Sequence, residues 1–275
     1  GKRIVLKQEF SEGDFYCASA VAIEIVGRHS QARIANETSL RLATRAGKGS
    51  FTILISSAAT FDRNQDVVAT ALAELDAAAK VGFAGILKSS RIWWRDFWSR
   101  SYVSCHSADG VANALEQGYT FFLYLMAASS RGTLPPNFGG MIWSTAGDPR
   151  EWGSQHWWHN MSCYYRSLAQ ANCVDLMQPM FNMYTGMSAK GARAAKDVWG
   201  SEGLFIQESS WFDGPSLIPP EIAPEMRRLY LCQKPWAKRS KTFREFVEHK
   251  QSYPGIWNWK THEGKWVDGR WTWSD

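Results

Sequence analysis

A change in hydrophobic period near residue 64 is the feature that most constrains the fold of this chain. Before it, apolar side chains recur at every second position in two runs, Val21, Ile23, Ile25 and Phe51, Ile53, Ile55. Leu54 lies out of step with the second run. After residue 108 the spacing becomes three or four, as in Leu176, Met180, Met183 and Met187. Since strands have a period of two and helices one near 3.6, we predict an antiparallel sheet, the end of a β-sandwich, followed by all-α structure.

The same change divides the chain into three predicted segments. Residues 1–62 form the C-terminal part of a β-sandwich domain. Residues 63–107 form linker helices, beginning at Asp66, a residue type suited to cap a helix. Residues 108–275 form a helical domain. Its methionines have the spacing of ordinary core residues, which is favoured over a metal or haem site.

Large aromatic residues are concentrated in loops rather than in the predicted core. The stretch from Tyr119 to Trp158 combines an apolar helix, a Pro-Pro-Asn turn, a glycine pair and a run of tryptophans. Loops lie at the surface, so these side chains indicate an aromatic-lined depression. Flat aromatic faces suit flat ligands with one apolar side, such as sugar rings.

Composition excludes several other classes of protein. Net charge is +5, and the one marked basic cluster, residues 227–244, accompanies no nucleic-acid-binding motif. This cluster is a solvated face or a patch for acidic saccharides. No window approaches the roughly 18 consecutive apolar residues of a membrane span. The five scattered cysteines give no zinc or disulfide pattern, although Cys163 and Cys173 could pair.

The amino-acid sequence of one segment resembles that of a known family. SSRGTLPPNFGGMIW, residues 129–143, is similar to a segment of glycoside hydrolase family 95 and related six-hairpin glycosidases. Further matches follow in the family's order: Trp152-Gly153-Ser154, Asn160, Tyr165, Asn172 and Pro179-Met180-Phe181. The resemblance implies that residues 108–275 form the N-terminal part of an (α/α)6 barrel. It also implies a secreted or periplasmic hydrolase of poly- or oligosaccharides, inverting and without a cofactor.

Glycoside hydrolysis requires two carboxylates that flank the scissile bond. The resemblance implies that the family's acid and base lie beyond residue 275, so we expect the isolated chain to hydrolyse little. Within the chain, Glu208 and Asp213 are the candidate catalytic residues, because a carboxyl group among aromatics loses solvation and its pKa rises. Asp148 and Glu151 are second choices. The alternative for each is an ordinary carboxylate on a surface loop.

Candidate substrate-binding residues come from the same polar and aromatic loops. They are Trp157, Trp158, His156, Asn160, Trp211, Asn137 and Trp152. Asn160 falls on one of the family's two water-positioning asparagines, and Trp158 replaces the other. Asn160 could instead cap a helix. The spacing of His156 and His159 would allow metal binding, but no third ligand is evident, so no metal is predicted.

Two other functions stay open. A non-catalytic carbohydrate-binding protein would keep the aromatic cleft and lack the acid and base. A polysaccharide lyase on a similar helical toroid would use a tyrosine or histidine base, for which Tyr164 and Tyr165 are candidates, and a basic patch for uronates. Both alternatives keep a carbohydrate as the partner.

Overall fold

The computed structural model describes residues 2–12, 15–36, 38–136, 156–215, 217–249, 264–267 and 270–273. The chain divides into two compact units, residues 1–99 and 100–275. The division into sandwich, linker and barrel segments stays a prediction.

The N-terminal unit begins with an antiparallel sheet of three strands in the order β1-β2-β5. These strands are β1 (Arg3–Glu12), β2 (Phe15–Val26) and β5 (Thr52–Thr60). Between the last two, β3 (Ser30–Asn36) and β4 (Ser39–Thr44) pair as a separate antiparallel ribbon. The strand-rich start predicted from the period of two is therefore confirmed.

A long helix, α1 (Val67–Trp98), packs against β2 and β5. Asp66 caps it, accepting hydrogen bonds from the backbone N–H groups of Val68 and Ala69 at 3.0 Å. Gly82 kinks it, with a φ of 70° that a side chain would disfavour. Near its end, Trp94 stacks on Trp98 with ring centroids 5.9 Å apart, as their spacing on one helix face predicted.

The buried face of the sheet is the opposite of the one that residue size suggests. Its inward side chains are small, Ala18, Ala20 and Ala22, and Leu54 joins them at 8% exposure. Ile53 and Ile55, which defined the sequence pattern, are 53% and 67% exposed on the other face. Small side chains let α1 approach the sheet closely, so packing selects the alanine face.

The C-terminal unit is mainly helical. Its α-helices are α2 (Val111–Ser129), α3 (Trp158–Tyr165), α4 (Gln178–Gly186), α5 (Ser188–Ala194), α6 (Ala223–Tyr230) and α7 (Lys241–His249). A π-helical turn, Ala195–Trp199, extends α5 and ends at Gly200, whose φ is 70°. Two short antiparallel pairs complete the unit: β6 (His156–Trp157) with β7 (Ser209–Ser210), and β8 (Gly264–Val267) with β9 (Arg270–Trp273).

Buried methionines and aliphatic residues hold the helical unit together. Met180, Met183 and Met187 are all buried, as expected of core filling. A second cluster is built from α6, α7 and the segments before and between them, and includes Met226, Leu229, Trp236 and Phe243. Strands followed by helices are thus confirmed, while closure into an (α/α)6 toroid stays a prediction.

The basic cluster at residues 227–244 is largely used within the unit. Lys234 Nζ donates to Glu225 Oε1 at 2.7 Å, Arg227 donates to the Lys196 carbonyl, and the Arg239 guanidinium lies 4.0 Å from the Trp236 ring centroid. These contacts favour a structural role over a ligand patch. All five cysteines are free, so Cys163 and Cys173 are not joined.

Candidate functional site

The pairing of β6 with β7 brings together two polar and aromatic segments that are about 50 residues apart in sequence. His156 lies opposite Ser210 and Trp157 opposite Ser209. One residue further on, the Trp158 N–H donates to the Glu208 carbonyl at 2.9 Å. The predicted ligand-binding residues His156, Trp157 and Trp158 therefore lie beside the loop that carries Glu208. We take this region as the candidate site.

The second segment is held by a tight turn against α4 and α5. The Gly214 N–H donates to the Trp211 carbonyl at 3.1 Å, and Gly214 has a φ of 103°. A Cβ at this glycine would lie 3.3 Å from Met187, closer than ordinary packing allows. The turn places Asp213 beside α5, where Lys190 Nζ donates to its Oδ2 atom. Glycine is required here by both conformation and space.

An aromatic platform lies at the start of α3. Trp158 is 44% exposed, and its ring meets Tyr184 of α4 edge to face, with centroids 5.4 Å apart. This contact fixes the indole plane while leaving part of it open to solvent. Trp157 and Trp211 are half-buried. Of the predicted tryptophans with described positions, Trp158 offers the most accessible surface to a sugar ring.

Several buried polar groups accompany the platform. His156 is 6% exposed, Tyr165 is 2% exposed and Ser210 is fully buried. Within the described residues, the hydroxyls of Tyr184 and Ser210 have no hydrogen-bond partner. A buried polar group left unbonded costs about 1–3 kcal/mol.

Burial sets the protonation of these groups. It lowers the pKa of His156, with the nearby Pro135 carbonyl acting in the opposite direction, so neutral imidazole is favoured. Burial also raises the pKa of Tyr165 to about 12. Ser130 lies close enough to oppose that rise, but its hydroxyl donates to the Leu176 carbonyl at 2.8 Å. Tyr165 is therefore protonated at neutral pH and is unsuited to act as a base.

The two candidate carboxylates have different surroundings. Glu208 is exposed, so the expected desolvation by neighbouring aromatics does not apply to it. Asp213 is half-buried and ion-paired with Lys190. The ion pair joins this turn to α5, so Asp213 is either a structural link or a carboxylate positioned beside the site.

Asn160 lies in the first turn of α3 with a half-buried side chain. The N-cap position belongs to Trp157, without a side-chain cap, so the alternative of a helix-capping asparagine is wrong. Its carbonyl accepts a hydrogen bond from Cys163 Sγ at 2.8 Å. The side-chain amide is not used by the cap, which keeps its role as a ligand contact open.

Some predicted residues lie outside the described part of the chain. These are Asn137, Trp152, Asp148 and Glu151. Over the residues that are described, no group of three or more metal-ligating side chains is found. Nor is any helix there both long and apolar enough to cross a bilayer.

Sequence reasoning missed three polar residues of this region. Lys190 belongs to an alanine-rich helix, Tyr184 to a methionine-rich one, and Ser210 precedes a tryptophan. Each lies in a pattern typical of core or loop structure. Only the pairing of residues 156–158 with 208–210 reveals them, and no local signal predicts that pairing.

Comparison with solved structures finds a similar fold. A solved structure described as "Putative kojibiose phosphorylase from human microbiome" has a similar fold, with a TM-score of 0.54 at 14% identity. The match covers 75% of this chain and 28% of that chain, so this chain spans little more than a quarter of that protein. At 14% identity this similarity concerns the fold alone.

The family comparison is more specific. Residues 103–238, just under half of the chain, match the model of the "Glycosyl hydrolase family 95 catalytic domain". This segment includes α2 to α6 and both strands of the β6–β7 pair. No curated protein matches the chain. The resemblance to glycoside hydrolase family 95 seen in the sequence is thus confirmed over residues 103–238, a segment that includes the candidate site.

The buried histidine gives a test of this region in solution. The pKa of His156 is lower in the folded chain than in the unfolded chain, because burial disfavours the imidazolium. As pH falls below about 6.5, the unfolded chain takes up this proton first, so folding stability declines in that window. We expect His156→Gln to weaken this decline, as measured by urea unfolding between pH 7 and 5.

His159 supplies the matched control, since its side chain is exposed and lies three residues away. His159→Gln is expected to keep the pH dependence of the wild type. An unchanged slope for His156→Gln would show that the His156 ring is solvated in the folded chain.

Proposed function

We propose that this chain forms part of an enzyme that cleaves glycosidic bonds in poly- or oligosaccharides. In its specific form, the proposal is that the bond is hydrolysed with inversion at the β6–β7 region and without a cofactor. It also holds that the protein is exported. The match of residues 103–238 to a glycosyl hydrolase catalytic domain supports the reaction class.

One observation carries the choice of site. The hydrogen-bonded pairing of residues 156–158 with 208–210 joins an exposed indole to a loop with two carboxylates. A sugar ring can lie on the open part of Trp158, whose plane is fixed by Tyr184. Glu208 and Asp213 follow on the paired strand and its turn. Recognition and acid–base groups are thus supplied by one local arrangement.

The roles of the two carboxylates follow from their environments. Glu208 is exposed, so its carboxyl group can reach a bound substrate, and we assign it the role of the general acid. Asp213 is held in place by its ion pair with Lys190, and we assign it the activation of a water molecule. Asn160 contributes an amide that can bond a hydroxyl or this water. These assignments place an acid–base pair within the chain, as the alternative to an acid and base beyond residue 275 that the family resemblance implies.

Phosphorolysis is the second candidate function. It is favoured by the solved structure with a similar fold, which is described as a phosphorylase. In a phosphorylase, inorganic phosphate replaces the water, and the product is a sugar phosphate. The lyase alternative is disfavoured, because a Tyr165 pKa of about 12 opposes its deprotonation.

Product analysis separates these functions. We expect oligosaccharides incubated with the protein to release reducing sugar without added phosphate, and NMR to show an inverted anomer in the first product. If a sugar 1-phosphate forms only when phosphate is added, the reaction is phosphorolysis and not hydrolysis. An unsaturated product with near-ultraviolet absorbance would indicate a lyase. Saccharide binding without any product would indicate a non-catalytic carbohydrate-binding protein.

A further inference from the structure

A cavity in the N-terminal unit is lined by basic and polar residues. It has a volume of about 680 Å³ and lies where the β3–β4 ribbon meets the loops on either side. We call it the basic concavity, and it is lined by Arg28, His29, Gln31, Ala43, Thr44, Arg45, Gly47 and Lys48. Three of these residues are cations, and none of the lining residues is acidic.

The positive charge continues along the adjoining ribbon. Gln31 lies opposite Ala43 in the strand register, and Arg33 lies opposite Arg41. Residues two apart on a strand share a face, so both arginines lie on the face that lines the cavity. Like charges directly opposite one another destabilise a strand pair. Five cations are therefore gathered on one surface at some cost to the ribbon.

The cavity wall is held in place by Arg28. Its guanidinium donates to the Gly47 carbonyl at 2.8 Å and also to the Gly49 carbonyl. The guanidinium carbon lies 4.9 Å from the centroid of the Phe51 ring. Arg28 thus fixes the loop that carries Arg45 and Lys48. Among the described residues, neither Arg45 nor Lys48 has an ion-pair partner, so both are available to a ligand.

Protection of an edge strand is a simpler use of surface charge. Lysine and arginine on an edge strand do discourage pairing with another chain. That role needs scattered charges and no cavity. Here the lining cations come from two separate loops, and they converge on a space of ligand size.

We propose that the basic concavity binds the anionic groups, carboxylate or sulfate, of an acidic oligosaccharide. The cations would meet the charged groups, while Gln31 and Thr44 would bond the hydroxyls. A single-stranded nucleic acid fits less well, because stacking needs an open aromatic face. No phenylalanine, tyrosine or tryptophan lines the cavity, and the ring of Phe51 is covered by Arg28.

This inference rests on the proposed function, since it adds an anionic substrate class to a carbohydrate-processing protein. The two can fail separately. Cleavage of neutral glycosides with no binding of acidic ones would overturn the inference alone. Binding of acidic glycans at the basic concavity by a protein that cleaves none would overturn the proposed function alone.

The test is calorimetric titration of the protein with three oligosaccharides of equal length: oligogalacturonate, a sulfated galactan fragment and a neutral glucan. We expect at least one anionic ligand to bind, with an affinity that falls as salt is raised. Arg45→Gln combined with Lys48→Gln is expected to weaken this binding about tenfold or more, since each cation near a charged group contributes about fivefold. The preferred anion distinguishes carboxylate from sulfate.

A matched variant controls for net charge. Lys88→Gln combined with Arg91→Gln removes two exposed cations from α1 in the same unit, and its affinity is expected to change less than twofold. Equal losses in both double variants would overturn the inference, as would equal binding of the neutral glucan. A single-stranded DNA of the same charge is the last comparison. If it binds equally tightly and the Arg45→Gln, Lys48→Gln variant loses that binding, the ligand of the basic concavity is a nucleic acid and not a saccharide.

Discussion

Replacing Leu75 with alanine is expected to lower the free energy of unfolding of the N-terminal unit by about 3–5 kcal/mol. Leu75 is fully buried where α1 meets the sheet. Its neighbours on β2 are alanines, which have no longer side chains to fill the space that the leucine leaves. The truncation should therefore leave most of its cavity open. Urea unfolding followed by circular dichroism measures the loss.

Leu6→Ala removes the same atoms from an exposed position on β1, where the leucine is 56% accessible. We expect this variant to lose no more than about 1 kcal/mol, as surface substitutions do. A Leu75→Ala variant as stable as Leu6→Ala would mean that α1 does not pack on the alanine face in solution.

The same alanine face shows the limit of hydrophobic patterns in this chain. A period of two correctly predicts the strands, because alternation depends on backbone geometry alone. It does not tell which face is buried when both faces are apolar. Size suggests Ile53 and Ile55, yet Leu54 is the residue in the core. The choice depends on α1, whose approach the small residues permit and the isoleucines would block.

Local signals in the helices were more informative. The cap at Asp66, the end of a helix at Gly200 and the burial of Met183 are each determined by near neighbours in sequence. The candidate site has a different origin. Aromatic and polar composition indicates residues 156–160 and 208–213 separately. Their pairing is a long-range contact, and the ion pair of Lys190 with Asp213 depends on it.

The largest functional effects are expected at the two candidate carboxylates. In an active form of the protein, Glu208→Gln should lower kcat by about 10²–10⁴-fold, the usual contribution of a general acid. Asp213→Asn should cause a loss of similar size. If the two residues are acid and base, each variant should also lose one limb of a bell-shaped pH profile. Initial rates on the best oligosaccharide, measured from pH 4 to 9, test both expectations.

Two control variants distinguish chemistry from folding. Glu202→Gln changes an exposed carboxylate in the same connecting region and should leave kcat within twofold. Lys190→Gln breaks the ion pair but leaves the Asp213 carboxylate in place. If Asp213 is only a structural link, Lys190→Gln and Asp213→Asn should lose stability and activity equally. If it is the base, Asp213→Asn should be far less active at similar stability. Near-normal rates for both Glu208→Gln and Asp213→Asn would assign the acid and base to other residues, as the family resemblance implies for positions beyond residue 275.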